Sequence, residues 1–229
     1  MELNTVIEFD KEQSLFYLID SNTDGSFLIH YLIAHSIRSN TKTFFVTLSQ
    51  TLSHFKGVQA KLGNLTSFNS CLTNGSLINF DLMTKLSENF LDSDSNEGHL
   101  FDDVYEKIGE LVKKADSKEK FYLIIDDLSI ALLAGVPETC ILEFLAKIQS
   151  LNDNLCLVVY IQSMLSNPFL ISDLSQMSDL YFKIENLSTG YSKEIDGQIS
   201  IHRLYENLNP KIEKYLYKVN ERNVKLFQI

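Results

Sequence analysis

Two stretches of this 229-residue sequence have the order of residues that holds a nucleotide, and each departs from it where the chemistry is done. The first is "LIDSNTDGSFLIHYL", Leu18 to Leu32, where an apolar segment runs into a polar turn and out into a second apolar segment. A phosphate loop reads G-x-x-x-x-G-K-[ST]. Its glycines let backbone N–H groups curl around the phosphates, its Lys neutralises charge, and its hydroxyl holds Mg²⁺. With Gly25 as the second glycine, Asp20 stands at the first, Ser26 at the Lys and Phe27 at the hydroxyl. A carboxylate at 20 repels phosphate, Ser26 brings no positive charge, and Phe27 cannot ligate a metal. A helix N-terminus binds anions through its backbone alone, so weak binding stays open while catalysis does not.

The second stretch is "YLIIDD", four apolar residues ending in Asp126 and Asp127, which has the form of a Walker B strand. An Asp that ends a strand and caps the following helix has the same form. With no hydroxyl at position 27 to share the metal, the pair reads as a relic rather than a magnesium site.

Other chemistry is scarce. The five His, at 30, 35, 54, 99 and 202, are scattered, and His30 and His35 do not face one another on a helix. Ser26 reads as a cap and not a nucleophile, because no G-x-S-x-G elbow surrounds it. Cys71, Cys140 and Cys156 form no CxxC pair, so no zinc site is evident, and Cys140 and Cys156 read as reduced core residues. Lys113, Lys114, Lys118 and Lys120 make the densest basic patch. Asp116 and Glu119 interleave with them, which favours a solvated helix end over an RNA contact. The net charge of −10 does not attract phosphate backbones or anionic membranes. "MELNTVIEFDKEQ" has no apolar signal-peptide region and no stretch is long enough to cross a bilayer, so a soluble intracellular protein is expected.

The elements that must position the two motifs read as α/β. Continuous apolar runs at Leu15–Ile19, Thr43–Leu48, Ser76–Phe80, Phe121–Ile125 and Leu155–Ile161 predict strands buried on both faces of a parallel sheet. Helical spacing covers Phe27–Ile37, capped by Asp24 or Ser26, and "SHFKGVQAKLG", closed by Gly63. Further helices are predicted over Phe101–Lys114 and from Pro137 to about Gln149. Ser87–Gly98 reads as a surface loop, and "QSMLSNPFLISDLSQMSD" as the loop after the fifth strand, whose Met164–Ile171 is apolar and expected to be exposed. After Asp179 come four short alternating strands, "LYFKIE", "GQISIHR", "KYLYKV" and "VKLFQI". Asp196-Gly197 reads as a two-residue hairpin turn, and Asn220–Asn223 joins the last pair. An antiparallel edge therefore finishes a single domain spanning 1–229.

Four segments carry a resemblance to a known family: "TDGSFLIHYL" (Thr23–Leu32), "FVTLSQTLSHF…KLG" (Phe45–Gly63), "LIIDDLSIALLAG" (Leu123–Gly135) and "LSTGYSKEIDGQISIHR" (Leu187–Arg203). In order and extent the chain resembles the family of the sixth subunit of the Elongator complex, most thinly between Thr66 and Lys118. The resemblance implies a RecA-like ATPase fold that has shed its Walker motifs, with no catalytic residue, cofactor or metal of its own. It implies a hetero-hexameric ring with the fourth and fifth Elongator subunits, two copies of each, that binds tRNA and docks on the catalytic half of the complex. That assembly installs the carboxymethyl-type group at C5 of wobble uridine, and its setting is cytoplasmic and also nuclear. It further implies that Ser49 and Gln50 stand where related ATPases keep catalytic carboxylates, and that the loop after the fifth strand faces the ring centre. The alternative is a weakly active composite NTPase site to which this chain lends a charged finger. Arg38, Arg203 and Arg222 are its three arginines, and none has a motif around it.

Overall fold

A computed structural model of the chain describes residues 3–6, 16–89, 100–116, 119–204 and 211–229. Its strands form a nine-stranded sheet in the order β3-β2-β4-β5-β1-β6-β7-β8-β9. They are β1 (Phe16–Ser21), β2 (Lys42–Thr47), β3 (Leu77–Asp81), β4 (Phe121–Ile125), β5 (Leu155–Gln162), β6 (Leu180–Glu185), β7 (Gly197–Arg203), β8 (Lys211–Val219) and β9 (Val224–Gln228). β1 lies between β5 and β6 and is buried along its whole length, which is why "FYLIDS" is apolar without alternation until its end.

Two apolar layers cover the sheet. One packs α1 (Leu3–Val6), α2 (Phe27–Ser39), α3 (Leu52–Lys61) and α4 (Leu65–Asn74) against the face carrying Tyr17, Ile19 and Phe45. The other packs α6 (Asp102–Lys113), α7 (Leu128–Leu133), α8 (Glu138–Gln149) and α9 (Pro168–Met177) against Phe16, Leu18 and Phe44. The five predicted core strands stand within a residue or two of their predicted bounds. Gly63 ends α3 in the left-handed conformation, φ +80°, as its type permits.

Four expectations are corrected. "LYFKIE" is a sixth parallel strand, β6, paired with β1, and the antiparallel part begins only at β7. The crossover that makes this geometry lies in "QSMLSNPFLISDLSQMSD", which is no loop: α9 runs through it. The Asn167 side chain accepts from the Phe169 N–H, Pro168 fills the first turn, and Leu170 and Leu174, one turn apart, reach the core. Asp196-Gly197 is not a hairpin turn either, because β6 ends at Glu185 and Gly197 is already the first residue of β7. Finally, Ser87 belongs to α5 (Leu82–Asn89), whose first turn is held by the Asp81 carboxylate accepting from the Thr84 N–H at 3.0 Å. The rest of that predicted loop lies outside the described residues.

Candidate functional site

β1 ends beside the first turn of α2, and the chain between them does not cradle a phosphate; it folds onto itself. Asp20 is no loop residue. It sits buried within β1, its Oδ2 accepting from the Tyr181 hydroxyl at 2.8 Å and its Oδ1 without a partner. Burial, together with the Asp20 carboxylate, pushes the Tyr181 phenol up from its ordinary range, so Tyr181 is the proton donor of the pair. The Gly25 N–H donates to the Tyr160 hydroxyl at 3.3 Å. A Cβ at Gly25 would stand 2.7 Å from Ile184 Cδ1, so here the glycine serves close packing. Ser26 turns both its N–H (3.0 Å) and its hydroxyl (2.7 Å) to Asp24 Oδ1. The chain's own carboxylate thus stands just ahead of α2, where its charge opposes the approach of an anion to the helix N-terminus. Of the two predicted caps, Ser26 holds the N-cap position, but neither side chain bonds an N–H of the first turn. Phe27 is buried, its ring 5.0 Å from that of Tyr217.

The two aspartates after β4 are consumed in the same way. Asp126 Oδ1 accepts from the Leu48 N–H at 2.7 Å, and its Oδ2 accepts from the Ser49 N–H (3.1 Å), the Ser49 hydroxyl (3.1 Å) and the Gln50 N–H (3.2 Å). Burial raises its pKa to about 6 against the pull of those donors. Asp127 caps α7 through the Ser129 N–H at 3.0 Å and accepts from Gln162 Nε2 at 2.6 Å, tying α7 to the end of β5. Ser49 and Gln50 are brought to the site, held there by their backbone N–H groups on Asp126.

Asp24, Ser26, Ser49, Gln50, Asp126 and Asp127 line a cleft of about 450 Å³ at the carboxyl ends of the strands, the place where α/β sheets of this topology hold ligands, while Asp20 and Phe27 lie outside it. Among the described residues its charged or titratable lining is Asp24, Asp126, Asp127, His30, His54 and Tyr160, with no Lys or Arg. His30 and His54 escape a reading by sequence spacing because they come from different helices, α2 and α3, yet their rings lie 5.9 Å apart. Burial, with His54 adding to it, lowers the His30 pKa to about 4, so His30 is neutral near pH 7 and offers phosphate no charge. Among the described residues no group of three or more His, Cys, Asp or Glu is placed to hold a metal ion. Calorimetric titration of the chain with Mg–ATP is therefore expected to show no site in the low-micromolar range or tighter, about −8 kcal/mol.

The other sequence candidates lie apart from this cleft. Arg203 is buried, paired with Glu213 and donating to the Val6 carbonyl at 3.2 Å, so it is no charged finger. Arg38 and Arg222 are exposed and line a separate 240 Å³ pocket by the last turn of α2. Lys113 ends α6, and Lys118 lies outside the described residues. Cys71 and Cys156 are buried, whereas Cys140 on α8 is half-buried rather than a core residue. No helix among the described residues is long and apolar enough to cross a membrane.

A family model, Elongation complex protein 6, matches residues 1–221 of the chain. The chain belongs to that family. Curated relatives agree in kind and extent. Elongator complex protein 6 of Mus musculus is 29% identical over 252 residues, covering 98% of this chain and 94% of that protein. The Xenopus laevis protein is 30% identical over 236 residues, covering 92% and 88%. The Homo sapiens protein is 27% identical over 254 residues, covering 98% and 94%. Among solved structures, a KaiC-like protein from the archaeon Pyrococcus horikoshii superposes with a TM-score of 0.62 at 15% identity, over 94% of this chain and 90% of that one. The fold is therefore RecA-like, as the resemblance implies, and at that identity the likeness speaks to fold alone.

Proposed function

We propose that this chain is a non-catalytic subunit of Elongator that joins the fourth and fifth subunits, two copies of each, in a hetero-hexameric RecA-like ring. The ring binds tRNA, docks on the catalytic half of the complex and supports the carboxymethyl-type modification at C5 of wobble uridine, in the cytoplasm and also in the nucleus. The observation that carries the non-catalytic part is the consumption of Asp126 and Asp127 by the chain's own hydrogen bonds, with the Asp24 carboxylate standing ahead of α2. A working site keeps those groups for metal and phosphate. A site without them is inherited architecture, kept because strand, turn and helix still pack.

Membership of the Elongation complex protein 6 family supports the assembly. So does apolar surface that a lone soluble chain does not need: Met164 and Phe169 are each 79% exposed, and Leu133 is 60% exposed. Leu170, in the middle of the segment read as exposed, is instead a core residue of α9, so the exposed part is narrower than "MLSNPFLI". RecA-like rings pack one face of a subunit against the opposite face of the next. Such a heterologous interface lets charge select the neighbour, and a chain of net charge −10 favours a more basic one over itself.

The test is co-expression. Purified alone, the chain is expected to aggregate or give ill-defined oligomers in light scattering. Expressed with the fourth and fifth subunits, it is expected to enter one particle whose mass corresponds to six chains. A well-behaved monomer that stays out of any particle with those partners overturns the reading.

A further inference from the structure

The antiparallel end of the sheet has a core on one side only. Ile199, Ile201, Tyr215, Tyr217, Val224 and Leu226 point into the layer under α2, whereas β7, β8 and β9 contribute nothing to the layer on the opposite side. On that opposite side the register sets the residues of β6–β9 in rows across the strands. One row holds Tyr181 and His202, whose rings are 5.1 Å apart. The next holds Lys183, Ser200 and Lys214. The next runs through Glu185, Gln198, Leu216 and Phe227, the last 42% exposed, and beyond it Lys218 stands beside Lys225.

Along β8 and β9, ring or apolar groups therefore alternate with ammonium groups at about 7 Å, two residues along a strand. The face carries four lysines against one carboxylate, Glu185, in a chain of net charge −10. Lys183 pairs with Glu185 at 2.8 Å, and Lys218 pairs with Asp196 at the margin at 2.6 Å. Lys214 and Lys225 have no acidic partner among the described residues. Burial, helped by Lys183 and Lys214, lowers the pKa of His202, so its ring meets a ligand uncharged near neutral pH.

We propose that the open β7–β9 part of this face binds single-stranded RNA, with the rings of His202 and Phe227 meeting bases and Lys214 and Lys225 meeting phosphates; Tyr181, beside His202, is already packed against the second layer. A flat sheet carrying rings between cations suits a chain that alternates aromatic bases with anionic groups. The net charge of −10 disfavours such a ligand over much of the surface, and a face with more lysine than carboxylate offsets it locally. An acidic protein segment would use the lysines but has no need of rings between them. The proposal deepens the tRNA-binding reading above, so it is tested on the lone chain and on the ring separately.

The probe is a fluorescently labelled single-stranded RNA of about ten nucleotides, the scale of one binding surface, titrated with the full chain at low salt of about 50 mM. The wild-type chain is expected to bind. The variant K214E/K225E is expected to weaken binding at least tenfold. K214A/K225A is expected to flatten the salt dependence by about 1.4, roughly 0.7 for each phosphate no longer neutralised, and Phe227→Ala to weaken binding roughly tenfold. A control, K107E/K147E, changes the net charge equally from the exposed faces of α6 and α8, and is expected to leave most of the affinity in place. An equal loss in the control, or no binding by the wild-type chain, overturns the proposal. So does a K214E/K225E chain that fails to enter the six-subunit particle which the wild type enters, since the face is then a protein interface. If that particle forms with the variant and binds the probe more weakly, the proposal stands. If no particle forms even with the wild type, only the ring reading fails, because the titration of the lone chain is independent of it.

Discussion

Asp126→Ala is expected to destabilise the chain by about 3 kcal/mol at neutral pH, read as a lower midpoint in urea with an unchanged slope. The carboxylate is buried and is the acceptor for three consecutive backbone N–H groups, those of Leu48, Ser49 and Gln50. Removing it leaves the buried Leu48 N–H without a partner, at about 1–3 kcal/mol, and takes a charged acceptor from the part-buried Ser49 and Gln50 N–H groups, for a total of about 3 kcal/mol. Asp126→Asn keeps one acceptor oxygen and is expected to lose less. The pH dependence has a definite sign. Because the pKa of Asp126 in the folded chain, about 6, lies above its ordinary 3.8, the folded state holds the proton more tightly. This group's contribution to stability then falls as pH rises between those two values. The gap between wild type and Asp126→Ala should therefore be widest near pH 4 and narrow as pH rises through 6. A gap of less than about 1 kcal/mol at neutral pH shows that Asp126 does not anchor the β2–α3 connection.

That role was half legible. "YLIIDD" announces a buried strand ending in carboxylates, because continuous burial on both faces leaves no alternation to confuse. The groups that claim the carboxylates come from elsewhere: the donors to Asp126 lie after β2, and the amide that meets Asp127 is on β5. Such pairings depend on strand order, which short apolar runs do not encode. The pairing of His30 with His54 is hidden for the same reason, as are the lysine rows of β6–β9, which share a face only once the antiparallel register is known. At the phosphate loop the departures from the motif were plain. The sequence left unsaid that the Asp24 carboxylate folds onto Ser26 ahead of the helix, and that Asp20 lies inside a strand. The helix α9 was missed because Ser, Asn and Pro head a segment whose Leu170–Leu174 spacing is short, and loop composition outweighed two core residues.

The Asp196-Gly197 pair shows how one residue type serves different constraints, and it supports a prediction in which two glycines move stability in opposite directions. A turn of that kind needs a left-handed backbone at glycine, but Gly197 is not among the residues with positive φ. What it lacks is space: a Cβ there would stand 2.6 Å from the Glu185 carbonyl oxygen and 2.8 Å from the Tyr217 ring. The carbonyl belongs to β6, the neighbouring strand, and the ring is buried in the core, so neither can give way like the end of a loose side chain. Gly197→Ala must push β6 and β7 apart where the antiparallel part begins, at an expected cost of about 2–3 kcal/mol. Gly57 is the opposite case. It lies within α3, is exposed, and has nothing within 4 Å of a built Cβ. Gly57→Ala is expected to stabilise by about 0.5–1 kcal/mol, because alanine gives up less backbone freedom on entering a helix. For a domain of this size, roughly 2–4 °C in melting temperature per kcal/mol makes the contrast readable by thermal denaturation. Gly197→Ala should melt about 4–12 °C below the wild type and Gly57→Ala about 1–4 °C above it. If Gly197→Ala melts with the wild type, the close approach of β7 to β6 and Tyr217 is wrong. The lysine rows that depend on that register then lose their basis too.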